Sequence, residues 1–194
     1  MTNIHLVMMA PSLPVSGNVG GIIFYIDSTA DGTYTFYNAQ GTQVSAPSVG
    51  DDCTGWTYVV TGASKDKYYV VYDQMYTADC WGPSSTLAGA SGTAIGTGRS
   101  NTETVIGSAS DVSGSIWEKI RTMRANEAGG CVDWFAPSKD EFLALVNSEI
   151  MELSGRIWSS SEYSETTAYS WYDEMWDIEV KQTGYKQVCG VRAF

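Results

Sequence analysis

Short runs of alternating aliphatic and aromatic residues, set apart by Gly-, Ser- and Asp-rich breaks, fill the first half of the chain. After Gly20-Gly21, IIFYI at Ile22 to Ile26 predicts a first strand. Asp31-Gly32 is a turn signal, and TYTFY at Thr33 to Tyr37 alternates beyond it, so a β-hairpin is expected there. Asn38 to Asp52 is turn-rich and predicts a surface loop. Two more strands are predicted around Trp56 to Val60 and Lys67 to Asp73, with their aromatics assigned to core and cross-strand packing. Ser84 to Thr97 is small and Gly-rich and predicts loop.

The period then changes. Asn101 to Ile106 predicts a short helix. Ile116, Ile120 and Met123 fall at helical spacing in SIWEKIRTMRA, with Glu118, Arg121 and Arg124 on the wetter side and Gly129-Gly130 as the stop. A further helix follows Pro137. Ser138 is its N-cap, Glu141 completes a capping box, and Phe142, Leu145 and Val146 share a face. From Gly155 onward short strands and loops return. Met1 to Asn18, with Pro11 and Pro14 and no clear period, reads as an arm or linker, leaving 19–194 as one domain.

Composition narrows the class. A chain of 194 residues, 43% hydrophobic and 17% charged, suits one packed domain rather than disorder, and twenty glycines favour a loop-rich α+β or all-β fold. The formal net charge of −11 repels phosphate backbones and anionic membranes, which excludes nucleic acid as an expected partner. No apolar run approaches the ~20 residues of a membrane span, so no membrane insertion is expected. MTNIHLVMMAPSLPV has no basic n-region and only a short apolar patch, Leu6 to Ala10, which makes a poor signal peptide and favours a virion over a secreted adhesin. Cys53, Cys80, Cys131 and Cys189 are far apart and form no C-x-x-C, so buried thiols are expected rather than a zinc or redox site.

Catalytic signatures are weak. GTAIGTGRSNTETVI at Gly92 to Ile106 fails as a phosphate loop, because Arg99 follows Gly98 where Lys is needed and Thr93 takes the place of the first Gly. His5, in the arm, is the one histidine, so a Ser-His or Cys-His pair lacks its base. Glu162 and Glu165 could act as paired acids, but nothing in their spacing selects them over surface acids. The expected protein is not an enzyme and holds no cofactor or metal.

DWFAPSKDEF at Asp133 to Phe142, WSSSEYS at Trp158 to Ser164 and the closing VRAF resemble the Lcl C-terminal-like domain family, named for the terminal domain of a bacterial collagen-like adhesin. GGIIFYI and GTGRSNTETVI fit the same family, so the resemblance spans roughly Gly20 to Phe194. It implies an α+β, C-type-lectin-like fold of two helices, small twisted antiparallel sheets and long loops. That fold is related to formylglycine-generating enzymes. It is similar to the variable proteins of diversity-generating retroelements, which display a diversified chain end on phage tails or bacterial surfaces, some of them as trimers. Trp134, Pro137 and Ser138 match the first block, Trp158 to Ser161 the second, and Val191, Arg192 and Phe194 the last. Ala136 replaces a larger aliphatic. Cys189 stands where the family often has Arg, so an ion pair is lost there. An oxidase of the formylglycine-generating type would need Cys131 and Cys189 brought together.

The C-terminal stretch carries the candidate site. Tyr163, Tyr169, Trp171, Tyr172, Trp176 and Tyr185 lie among Ser, Thr, Asp and Glu. Tyr and Trp bury large area at low entropy cost and keep a polar handle. Strand alternation should bury about half of them, with Trp171 the expected buried one. The lectin calcium signatures are absent, and Asp173, Glu174, Asp177 and Glu179 have no calcium-loop spacing. The expected ligand-binding residues are Tyr163, Glu165, Thr167, Tyr169, Tyr172, Glu174, Trp176, Asp177, Glu179 and Tyr185, one acidic and aromatic surface. Its expected partner is a host or cell-surface protein or glycan receptor, met from a virion or cell surface, with a homotrimer as the implied assembly. The competing readings are a fixed-specificity glycan adhesin and a structural virion component.

Overall fold

A computed structural model describes residues 13–108 and 112–194. His5, Pro11 and most of the expected arm lie outside the described residues. The fold is α+β, with three α-helices and two mainly antiparallel sheets among the described residues. Strands β1 (Val15–Asn18), β3 (Thr33–Tyr37), β4 (Gln43–Val44) and β5 (Thr57–Thr61) form the smaller sheet, ordered β1-β5-β3-β4. Strands β2 (Ile22–Ile26), β6 (Tyr68–Ala78), β7 (Ile157–Glu162), β8 (Thr167–Tyr172), β9 (Met175–Val180) and β10 (Lys186–Ala193) form the larger, ordered β2-β6-β10-β7-β8-β9. Among the described residues, the β10–β7 pairing is the one parallel contact between named strands.

The hairpin expected between Ile22 and Tyr37 does not form. The chain turns earlier than Asp31-Gly32, at Asp27 to Ala30, where the Ala30 amide donates to the Asp27 carbonyl at 3.2 Å, and β2 then pairs with β6 while β3 pairs with β5 and β4. The arm boundary also shifts, because Val15–Asn18 is a strand paired with β5. The Arg192 guanidinium ties it down by donating to the Asn18 and Val19 carbonyls while it pairs with Asp133.

β6 explains the layering. YYVVY does not alternate in polarity because both faces of the strand are buried, as in a central strand covered on two sides. Tyr68 and Val70 join a core with Phe36, Tyr58, Trp81, Trp117, Ile120, Trp134 and Trp158. Tyr69 and Val71 point the other way, into a core with Phe24, Phe135, Phe142, Leu145 and Val191. Helix α2 (Ile116–Ala125) serves the first core and α3 (Lys139–Asn147) the second. Trp117 is buried beside the three positions expected from the period. Helix α1 (Gly98–Ile106) opens earlier than the expected Asn101, and with it the described residues hold three α-helices where the family resemblance implied two. Gly129 sits at φ +60° with its α-carbon against Gly20, where an added Cβ would lie 2.2 Å from the Gly20 carbonyl oxygen. That close approach locks the 3-10 turn Ala128–Gly130 to the start of the sheet.

Cys53, Cys80, Cys131 and Cys189 are all buried thiols. Burial pushes Cys53 and Cys189 up to about 12, far from the thiolate that attacks or ligates. Cys131 and Cys189 belong to different cores. No helix among the described residues is long and apolar enough to cross a membrane.

Candidate functional site

The candidate site grows from β7. All six of its residues are buried, although three are serines and one is glutamate. Each hydroxyl has local work. Ser159 Oγ donates to the Tyr169 carbonyl at 3.1 Å, and Ser161 Oγ donates to the Gly92 carbonyl at 2.7 Å and accepts from the Lys139 amide at 3.0 Å. Ser160 Oγ accepts from the Asn101 amide side chain at 3.1 Å. The serines thus fasten the loop at 84–97, the start of α3 and strand β8 to one strand, while Trp158 fills the core beneath.

Glu162, weighed above as a surface acid, is buried. Its Oε1 accepts the Ala88 amide at 2.7 Å and its Oε2 the Gly89 amide at 3.1 Å. Lys181, directly after β9, pairs with it, donates to the Glu165 carbonyl at 3.0 Å and lies 4.8 Å over the Trp81 ring. Both side chains are essentially without solvent contact. This ion pair closes the base of the hairpin formed by β8 and β9.

The hairpin itself carries the predicted residues. Its two-residue turn is Asp173-Glu174, both at positive φ, 51° and 62°. Tyr169 faces Ile178 across the strands, Trp171 faces Trp176, and Thr167 faces Val180, so these share one face. Trp171 and Trp176 pack on Phe142 of α3, with ring centroids 6.2 and 5.9 Å away. The helix starts at Lys139, and beyond it the face opens. Lys139 Nζ stands 4.8 Å over the Tyr169 ring and 5.7 Å from the Trp176 ring. Tyr163 meets Tyr169 edge-on at 5.5 Å and is 56% exposed. Ile178 and Val180, at 45% and 49%, extend the same patch.

Tyr172, Asp177 and Glu179 occupy the opposite face. Arg156 donates to Asp177 at 2.9 Å, pairs with Glu179 and lies 4.4 Å over the Tyr172 ring. The Arg156 guanidinium, with help from the Ile178 amide, holds the Asp177 carboxyl below its ordinary range. Glu174 is in the turn and Glu165 in the β7–β8 connection, both exposed. Tyr185, 86% exposed, stands on the loop after β9.

The single acidic and aromatic surface expected from the sequence is therefore two surfaces. Tyr163, Thr167, Tyr169 and Trp176 come together, while Tyr172, Asp177 and Glu179 form a charge-paired back. Trp171 is not the fully buried residue of β8. Ala168 and Ser170 are, because alternation puts these small residues inward. Lys139, Ile178 and Val180 were missed. Lys139 has no motif of its own, but it is the first residue of the helix that the Ser138–Glu141 capping box locates. Among the described residues no group of three or more His, Cys, Asp or Glu side chains could hold a metal ion. Comparison with protein-family models, curated proteins and solved structures finds no match in any of the three.

Proposed function

We propose that the chain is a display module with a C-type-lectin-like arrangement, a receptor-binding or adhesin protein that meets a host or cell-surface target from a virion or cell surface. The observation that carries the reading is the open face of the β8–β9 hairpin, where Tyr163, Tyr169, Ile178 and Val180 lie side by side above a base in which every serine hydroxyl of β7 is bonded. Rigid aromatic anchors on a fixed frame are what contact surfaces use to gain area at low entropy cost. The frame spends buried polar groups on holding this hairpin, which suits presentation of a surface.

Replacing Tyr163 and Tyr169 together with Ala should weaken binding to target cells about thirty-fold or more, while the melting temperature moves by only about 2 °C. Flow cytometry of the labelled chain on protease-treated and periodate-treated cells reads the loss and separates protein from glycan targets. Undiminished binding by the double variant would move the contact surface elsewhere. If the hairpin is also diversified by a retroelement, sequencing the 3′ end of the gene across its source population should find substitutions at Tyr163, Thr167, Tyr169, Ile178 and Val180 and none at Ser159, Ser161, Ser170 or Lys181. A uniform sequence would remove diversification and leave a fixed-specificity binder.

A further inference from the structure

The acids of the β8–β9 hairpin and its free cation lie on opposite faces. Asp177 and Glu179 point to the back, where Arg156 and Lys186 stand beside them. Glu162 is buried beneath with Lys181. Asp173 and Glu174 lie in the turn, and Glu165 at the base. Asp140, next to Lys139 in the chain, lines the cavity between α3 and β2 with Phe24, Tyr25 and Ala144. The strand positions of the open face are Thr167, Tyr169, Trp171, Trp176, Ile178 and Val180, none of them charged. Lys139 is the charge that this face presents.

Most Lys and Arg side chains of the chain stand beside a carboxylate. Lys139 does not. Among the described residues its Nζ meets no carboxylate and no hydrogen-bond acceptor, only the Tyr169 ring at 4.8 Å and the Trp176 ring at 5.7 Å. The rings hold the cation through their quadrupoles but carry no net charge, so its own is left whole. Its place in the fold does not call for a cation either. Lys139 is the first residue of α3, at the positive end of the helix dipole, where carboxylates such as Asp140 and Glu141 stabilise and an ammonium does the reverse. The apolar stem would pack on the rings without the charge.

The surroundings select what this charge takes. An unpaired cation among aromatic and aliphatic side chains fits an anionic group that arrives inside an apolar surround. Ile178 and Val180 decide between the carriers of such a group. An acidic sugar brings hydroxyls around its carboxylate, and against these aliphatic side chains they would lose water without gaining a partner. A protein patch brings apolar side chains, which this face can cover. A second copy is disfavoured, because each carries −11 and the same face has no strand carboxylate to offer. We propose that the open face of the hairpin docks a protein surface in which one Asp or Glu stands among apolar side chains, its carboxylate paired with Lys139. This pairing rests on the reading of the hairpin as the contact surface and names the chemistry of its target.

NMR titrations of the full chain test it with three peptides, Gly-Ser-Leu-Phe-X-Val-Leu-Ser-Gly, where X is Glu, Gln or Lys. The Glu peptide should shift the amide signals of Tyr169 and Ile178 and bind about five-fold tighter than the Gln peptide, with the Lys peptide weakest. Lys139→Met should erase the difference between the Glu and Gln peptides. Lys139→Glu should turn the order round, so that the Lys peptide binds best, a result that lost packing alone does not give. The melting temperature of each variant should move by only about 2 °C. If Lys139→Glu fails to fold, Lys139→Met carries the test. Equal binding of the Glu and Gln peptides to the unaltered chain, or the same preference in Lys139→Met, would overturn the proposal. So would Lys139-dependent binding of glucuronic acid without binding of the Glu peptide, which would give the face to acidic glycans. Lys139-dependent dimerisation in sedimentation runs would overturn it in favour of a second copy. On target cells, normal binding by Lys139→Glu while the Tyr163, Tyr169 double variant fails would sink the ion pair and leave the display reading intact. Normal binding by both would sink the contact surface and the pairing with it.

Discussion

Lys181→Met is expected to lower stability by about 3–5 kcal/mol, a fall in melting temperature on the order of 10 °C for a chain of this size. The reason is the company Glu162 would keep afterwards. Its carboxylate is buried, and Lys181 is the cation bound to it. Methionine fills nearly the same volume over Trp81, so the loss is electrostatic rather than a cavity. The two amides from Ala88 and Gly89 soften the penalty without neutralising the charge. Adding Glu162→Gln to Lys181→Met should restore a large part of the loss, because the amide oxygen can still accept one of those N–H groups and no charge is left unpaired. Chemical denaturation of the four members of the cycle measures the coupling. A loss under about 1 kcal/mol for Lys181→Met, or a double variant as unstable as the sum of the two singles, would show that the pair is not what secures the hairpin base.

The same pair shows why the site was only partly legible in the sequence. A glutamate at the end of WSSSE and a lysine nineteen residues later carry no joint signature. Neither residue reads as buried, since lone Glu and Lys are normally exposed. The hairpin between them was hidden for a related reason. Two-residue hairpin turns ordinarily announce themselves with Asn-Gly or Asp-Gly, which tolerate positive φ, whereas Asp173-Glu174 adopts it without a glycine. Without the turn there is no phase for the alternation, and a strand read one residue out of phase exchanges its faces. That is how Tyr172 came to be grouped with Tyr169, and Asp177 with the aromatics.

Local chemistry was read well. IIFYI, TYTFY and the α2 period have the form their elements require, and Ser138 with Glu141 fixes the start of α3 to the residue. What the first half concealed was partner choice. The chain turns at Asp27 to Ala30, but β2 and β3 take partners in different sheets, β6 and β5. Both cores draw on β6, so the tertiary gain of filling two layers outweighs a short local hairpin, which is at best marginal alone.

Glu141 supplies the second large effect. The sequence presents it as a helix-capping residue, yet its side chain is completely buried. Oε2 accepts the Ser138 amide at 2.7 Å, which completes the capping box, and Oε1 accepts the Gly96 amide at 2.8 Å, just ahead of α1. A Cβ at Gly98 would lie 2.2 Å from Oε2, so the first turn of α1 is moulded around the carboxylate. One side chain thus serves the entries of two helices. Glu141→Ala should cost about 3–5 kcal/mol, since two buried amides lose their acceptor and the space cannot refill. Glu141→Gln should cost less, about 2 kcal/mol, because one oxygen remains while the NH2 group opposes the other amide. Burial raises the Glu141 carboxyl above its usual range, although the amides around it pull the other way. With the folded value above the unfolded one, the stabilisation from binding its proton is complete below about 4.5 and is lost as pH rises through the raised value. The deficit of Glu141→Gln relative to the unaltered chain should therefore narrow between acid and neutral pH, a difference that urea midpoints at the two ends of that window resolve. A deficit that widens instead would mean that the helix-entry amides outweigh burial and hold the carboxylate charged.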